Sequence, residues 1–142
     1  MKNQSTRRKR QGEWAEVCFL ARALHLGCHV SKPYGDSAPY DFLVDMRGTL
    51  KRVQVKSVAF KDGKNFHITA GHGLKKRAYH TGELDLIAAY IIPCDAWYII
   101  PLAALGGVRA VWFAPHRPSR RKFECFREAW HLLGSEALKG RT

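Results

Sequence analysis

Long apolar runs are missing from this chain. The longest, Leu86 to Ile92, is far too short for a spanning helix, so no membrane segment is expected. Acidic residues are scarce as well: 12 Asp and Glu stand against 24 Lys and Arg, leaving a formal net charge of +12 at pH 7. Such an excess favours a polyanionic partner. DNA, RNA and an anionic membrane all fit the charge, and basic ribosomal-type proteins share it, so charge names a class of partner and no reaction. The four cysteines, Cys18, Cys28, Cys94 and Cys125, form no CxxC pair, and free thiols in a reducing compartment are expected. His25, Cys28 and His29 lie close together, but no second ligand pair gives zinc-finger spacing. The basic start Arg7-Arg8-Lys9-Arg10 runs into Gln11-Gly12-Glu13 rather than an apolar signal core, which points to the cytoplasm. Internal repeats and linkers are absent too, and 142 residues suit one domain with one real core.

The pattern that is present alternates helical and strand signals. Gly12 to Leu26 reads as a helix stopped by Gly27. Pro33 to Pro39 is a loop by its turn residues. Tyr40 to Met46 and Leu50 to Val58 read as a hairpin turning at Arg47-Gly48. Phe66 to Thr69, Leu84 to Ile92, Trp97 to Ile100 and Val108 to Phe113 read as strands. Phe123 to Leu133 reads as an amphipathic helix, with Phe123, Phe126, Trp130 and Leu133 on one stripe. Residues 1–11 read as a basic flexible arm, 12–134 as the folded domain and 135–142 as a tail. The order describes a small mixed α/β domain.

The hairpin carries the chemistry. Side chains alternate across a sheet, so Arg52, Gln54 and Lys56 share one face and Asp41, Leu43 and Asp45 share a face of the neighbouring strand. A two-residue turn at Arg47-Gly48 pairs Met46 with Thr49 and, counted outward, sets Asp41 opposite Gln54. Directly opposed residues have Cβ atoms about 5 Å apart, close enough for two oxygen-bearing side chains to share a cation. Hard divalent cations take such oxygens. Lys56, one pleat further along, is placed to stabilise phosphate charge or position a water. On the helix, at about 100° per residue, Glu13 falls on one stripe with Val17, Leu20 and Leu24, the face expected to be buried. A carboxylate there is costly unless paired, by the helix dipole, a lysine or a metal. Glu16 lies about 60° away and ranks second. Asp36 reads as a turn aspartate.

The order Gly12-Glu13, Gly27, Val30, Pro33, Gly35-Asp36, Tyr40-Asp41 and Arg52-Val53-Gln54-Val55-Lys56-Ser57 resembles the PD-(D/E)XK endonucleases. It is closest to their branch with a Q-x-K motif, which includes group I intron homing endonucleases. Archaeal Holliday-junction resolvases are more distant relatives. The strands at Asp85 to Tyr90 and Trp97 to Pro101 extend the likeness, which spans about residues 9 to 105. The resemblance implies a restriction-endonuclease-like mixed sheet flanked by helices, Mg²⁺ or Mn²⁺ as cofactor, and hydrolysis of DNA phosphodiesters by a homodimer. It implies Asp41, Gln54 and Glu13 as metal ligands and Lys56 as the motif lysine. Tyr40 stands where the family name has proline, and Gln54 replaces a carboxylate, which removes one negative charge from the site. A resolvase-like nuclease and a silent nucleic-acid-binding descendant are the alternatives. Arg8, Lys9 and Arg10, with Lys75, Lys76 and Arg77, are the expected phosphate contacts.

Overall fold

The computed structural model describes residues 3–72, 77–78, 82–118 and 120–135. Its centre is a five-stranded sheet ordered β1 (His29–Ser31), β2 (Phe42–Met46), β3 (Thr49–Val58), β7 (Leu86–Ile91) and β8 (Ala96–Pro101). All neighbours are antiparallel except β3 and β7. Two small ladders complete the strands among the described residues: β4 (Phe66–Thr69) with β9 (Ala110–Phe113), and β5 (Gly71–His72) with β6 (Arg77–Ala78). One long helix, α1 (Gln4–His25), packs on the sheet, and a single turn of helix, α2 (Leu102–Leu105), follows β8.

The hairpin forms as its turn chemistry requires. Arg47 (φ 53°) and Gly48 (φ 88°) both take positive φ, the two-residue turn that matches strand twist. Arginine is a poor occupant of that conformation, and the Asp45 carboxylate offsets it by accepting the Gly48 N–H at 2.8 Å. Met46 pairs with Thr49, and the ladder runs out to Phe42 opposite Val53.

Alternation along β2 and β3 divides two cores. Val53, Val55, Phe42 and Val44 face α1 and join Phe19, Trp97 and Trp130. On the other face Ile87, Ala89, Tyr98 and Ile100 pack with Phe66, Ile68, Val111 and Phe113 of the β4–β9 ladder. All six residues of β7 are buried, as expected of a strand covered on both faces.

The start of α1 differs from the sequence expectation. Residues 4–11, expected in a flexible arm, form its first two turns, and the Asn3 side chain caps it by accepting the Ser5 N–H. Arg, Lys and Gln are strong helix formers, and a capped run of them continues the helix outward. The buried face also differs. Ala15, Phe19 and Ala23 are buried, whereas Val17 and Leu24 are 61% and 54% exposed and Glu13 is exposed. The small alanines let the helix approach closely, and the Phe19 ring stacks on Phe42 and meets Trp97 and Trp130. An aromatic cluster assembled from four elements selected the face, and helical periodicity did not reveal it.

The C-terminal segment is not the expected helix. Short 3₁₀ turns at Glu124–Phe126 and Trp130–Leu133 flank Glu128, whose φ of 51° interrupts any helix. The reason lies in the open edge of β8. Glu128 donates its backbone N–H to the Trp97 carbonyl at 2.7 Å. Its carboxylate accepts the Trp97 N–H at 3.0 Å and the Trp130 indole N–H at 2.7 Å. Satisfying the edge and a buried indole outweighs one more turn of helix.

Candidate active site

The site begins where β2 leaves β3. Past the last ladder pair, Phe42 with Val53, the Asp41 N–H donates to the Val53 carbonyl at 2.9 Å, one residue out of step with the ladder. The expected direct pairing of Asp41 with Gln54 is therefore not made. Instead the Asp41 carboxylate accepts the Val55 N–H at 2.8 Å through Oδ2. The side chain stands in for the departing strand, and that bond engages only one of its two oxygens. Burial raises the Asp41 pKa most, and the nearby Glu16 charge raises it further. The Val55 N–H, Lys32 and Lys56 pull the other way, and the outcome lies above the usual carboxylate range.

β3 supplies the other strand residues. Gln54 and Lys56 alternate with the buried Val53 and Val55 and point away from the α1 core. The Gln54 amide lies 3.4 Å from the Val55 carbonyl and the Lys56 ammonium 3.4 Å from the Gly71 carbonyl. Both distances are long for hydrogen bonds. A stronger latch fixes the strand beside them. Arg52 grips Asp85 through Nε at 3.1 Å and Nη2 at 3.2 Å, reaches the Gly82 carbonyl with Nη1, and gives its backbone N–H to Asp85 at 2.8 Å. This pair ties β3 to the start of β7 and holds the Asp85 carboxyl below its usual range despite its burial.

α1 contributes acids and bases to different sides. A cleft of about 630 Å³ gathers Glu13, Glu16, Asp36 and Asp41 with Lys9 and Lys32. Within it Lys32 pairs with Glu16 at 3.1 Å. Glu13 makes no ion pair among the described residues. Arg7, Arg8 and Arg10 instead line a second groove with Lys56. Lys75 and Lys76 lie outside the described residues, and the Arg77 backbone enters β6 opposite His72. Sequence alone ranks Glu16 second, reads Asp36 as a turn residue and gives no sign of Lys32. Spacing along the chain carries no signal for the last two, because a loop of unknown path brings them to the cleft.

A family model of PD-(D/E)XK endonucleases matches residues 6–133, nearly the whole chain. The chain belongs to the PD-(D/E)XK endonuclease family. Among solved structures it is similar to I-Ssp6803I, a bacterial homing endonuclease. The two chains share 27% identity with a TM-score of 0.76, over 89% of this chain and 93% of that one. Among curated proteins no sequence matches. The family places the chain among the nucleases, and the likeness in three dimensions confirms the mixed sheet expected of a PD-(D/E)XK fold.

Enzymes of this family typically use divalent metals, and the oxygen donors around this gap are of a kind that fits one. The free Asp41 oxygen, the Gln54 amide oxygen and the Val55 carbonyl are the hard oxygens such a cation prefers. The Glu16 charge adds to the cost of ionising Asp41, a cost that a cation would relieve. Among the described residues no three His, Cys, Asp or Glu side chains form a ligand cluster. A cation at this gap would therefore be held by carboxylate, amide and backbone oxygens rather than by a carboxylate triad. No described helix is long and apolar enough to cross a membrane.

Proposed function

We propose that the protein is a Mg²⁺- or Mn²⁺-dependent DNA endonuclease whose active centre is built from Asp41, Gln54, Lys56 and Glu13. The observation that carries this reading is the Asp41 carboxylate bound to the Val55 N–H, at the gap between β2 and β3. That bond fixes one oxygen and leaves the other for a cation, on the strand neighbouring the one that bears Gln54 and Lys56. A bound divalent cation would acidify a water and neutralise phosphate charge. Asp41 and Gln54 would hold it through one carboxylate and one amide oxygen. Lys56 places an ammonium where negative charge grows on the phosphoryl oxygens. Glu13, exposed and in no ion pair among the described residues, is available to take a proton from the attacking water or to add a ligand. The net charge of +12 supports a polyanionic substrate. Two strands need two cuts, which favours action as a homodimer, and the cytoplasm is the proposed setting.

The test is direct. The parent, Asp41→Ala and Lys56→Ala are incubated with plasmid, cruciform and genomic DNA, with and without Mg²⁺ or Mn²⁺. Cleavage by the parent alone, lost on chelation, is the expected result. No cleavage of any substrate by the parent would leave a silent DNA-binding descendant, the outcome to which Gln54 is most open. Equal cleavage by all three proteins would displace the site. Selective cutting of four-way junctions would make the enzyme a resolvase.

A further inference from the structure

Apart from Lys56, the second groove beside α1 is built of residues that catalysis at Asp41 does not use. It encloses about 860 Å³ between the first turns of the helix and the edge formed by β3 and β4. Arg7, Arg8 and Arg10 form one wall, Lys56 and Ser57 lie on the floor, and Phe60 stands at the rim. Among the described residues no acidic side chain lines it. The three arginines are exposed and make no ion pair among the described residues. Gln11 donates to the Ser57 hydroxyl at 3.0 Å and pins this part of the helix to β3.

The placement is costly for an isolated protein. Cations at a helix N-terminus oppose the helix dipole, and α1 has no acidic residue in its first turn to offset them. Like charges three residues apart on a helix repel as well. Phe60 adds a second cost, since its side chain is 76% exposed and meets no other ring among the described residues. A row of anions with apolar faces beside it removes both costs together. Nucleic acid has this chemistry, with phosphates repeating along a backbone and sugars and bases alongside.

We propose that this groove seats one strand of duplex DNA, with Arg7, Arg8 and Arg10 on its phosphates and Phe60 packed against a sugar or base at the rim. The strand leads over the Lys56 end of the floor toward the gap at Asp41. Lys9, one residue from these arginines, lies in the acidic cleft and takes no part. This assignment rests on reading the chain as a DNA nuclease, and it says which wall holds the substrate.

Binding to random-sequence duplex DNA fragments, without divalent cation and over a range of salt, tests it. Arg7→Gln with Arg8→Gln should lower the slope of log affinity against log salt by about two, close to 0.9 for each phosphate that is no longer neutralised. Phe60→Ala should weaken binding about tenfold at unchanged slope, and Phe60→Tyr should restore it. Arg47→Gln, at the far turn of the hairpin, should leave both quantities unchanged. An unchanged slope in the double variant overturns the proposal, and so does an equal loss from Arg47→Gln or a Phe60→Ala protein that binds like the parent. Tighter binding of single-stranded DNA or RNA overturns the duplex assignment. Thermal melts of each variant exclude loss of folding. If the parent cuts no DNA yet these slopes change as stated, the nuclease reading fails and the groove stands. If cutting is intact and the slopes do not move, the groove fails alone.

Discussion

Two hollows flank the first half of α1, and they are opposites. One collects Glu13, Glu16, Asp36 and Asp41, with Lys9 and Lys32 among them. The other collects Arg7, Arg8, Arg10 and Lys56 and, among the described residues, no acid. The helix between them turns about 100° per residue, so residues close in sequence can face different hollows, as Lys9 does beside Arg8 and Arg10. A basic run that looks uniform in sequence is thereby split, with Lys9 on the acidic side. A hydrolase needs carboxylates where a cation sits and fixed positive charge where phosphates lie, and one helix separates the two without cancellation.

The largest expected effect comes from the acidic side. Asp41→Asn keeps an oxygen for the Val55 N–H but loses the charge, and cleavage should fall about a hundredfold or more in initial-rate assays. Undiminished cleavage would erase the distinction between the hollows. Next comes a contrast within the acidic cleft. Glu13→Gln should lower cleavage roughly tenfold to a hundredfold, the range for outer groups that tune a metal site. Glu16→Gln, whose parent carboxylate is held by Lys32, should cost less. The reverse order, measured under single-turnover conditions, would transfer the helix acid's role to Glu16.

Stability effects are smaller and of opposite sign for two aspartates. The Asp41 carboxyl has a raised folded pKa, so its contribution to stability is full below the unfolded value and is lost as pH rises through the folded one. Asp41→Asn should therefore match or exceed the parent's melting temperature at neutral pH, with the gap closing in acid. The Asp85 carboxyl, gripped by Arg52, has a lowered folded pKa. Its contribution is present above the unfolded value and is lost as pH falls through the folded one. Asp85→Asn should melt below the parent at neutral pH and converge with it in acid. Melting curves across pH 2 to 8, a range of roughly that width being enough to cover the carboxylate region, check both signs. If Asp41→Asn melted well below the parent at neutral pH, Asp41 would be a structural residue rather than a site held at a cost to stability.

Much of the hairpin was legible because its rules are local. Arg47-Gly48 set the turn, and alternation of Val53 and Val55 with Gln54 and Lys56 set the faces. The register failed only at its end, where Asp41 leaves the ladder and bonds with its side chain instead. Periodicity along α1 had several apolar stripes to choose from, and of the one carrying Val17, Leu20 and Leu24 only Leu20 packs against the core. The helix expected over Phe123 to Leu133 was lost to a partner far away in sequence, the open edge at Trp97.

By itself the sequence determined the charge excess, the hairpin with its turn, and the order of Glu13, Asp41, Gln54 and Lys56, because each depends on residue type and short spacing. Tertiary structure alone decided which side of α1 is buried, that Lys9 parts company with Arg8 and Arg10, and that Lys32 and Asp36 join Glu16 in the cleft. Those outcomes depend on which surfaces meet. Burial of Phe19 among Phe42, Trp97 and Trp130 fixed the rotation of the helix, and that one angle assigned every charge on it to a side.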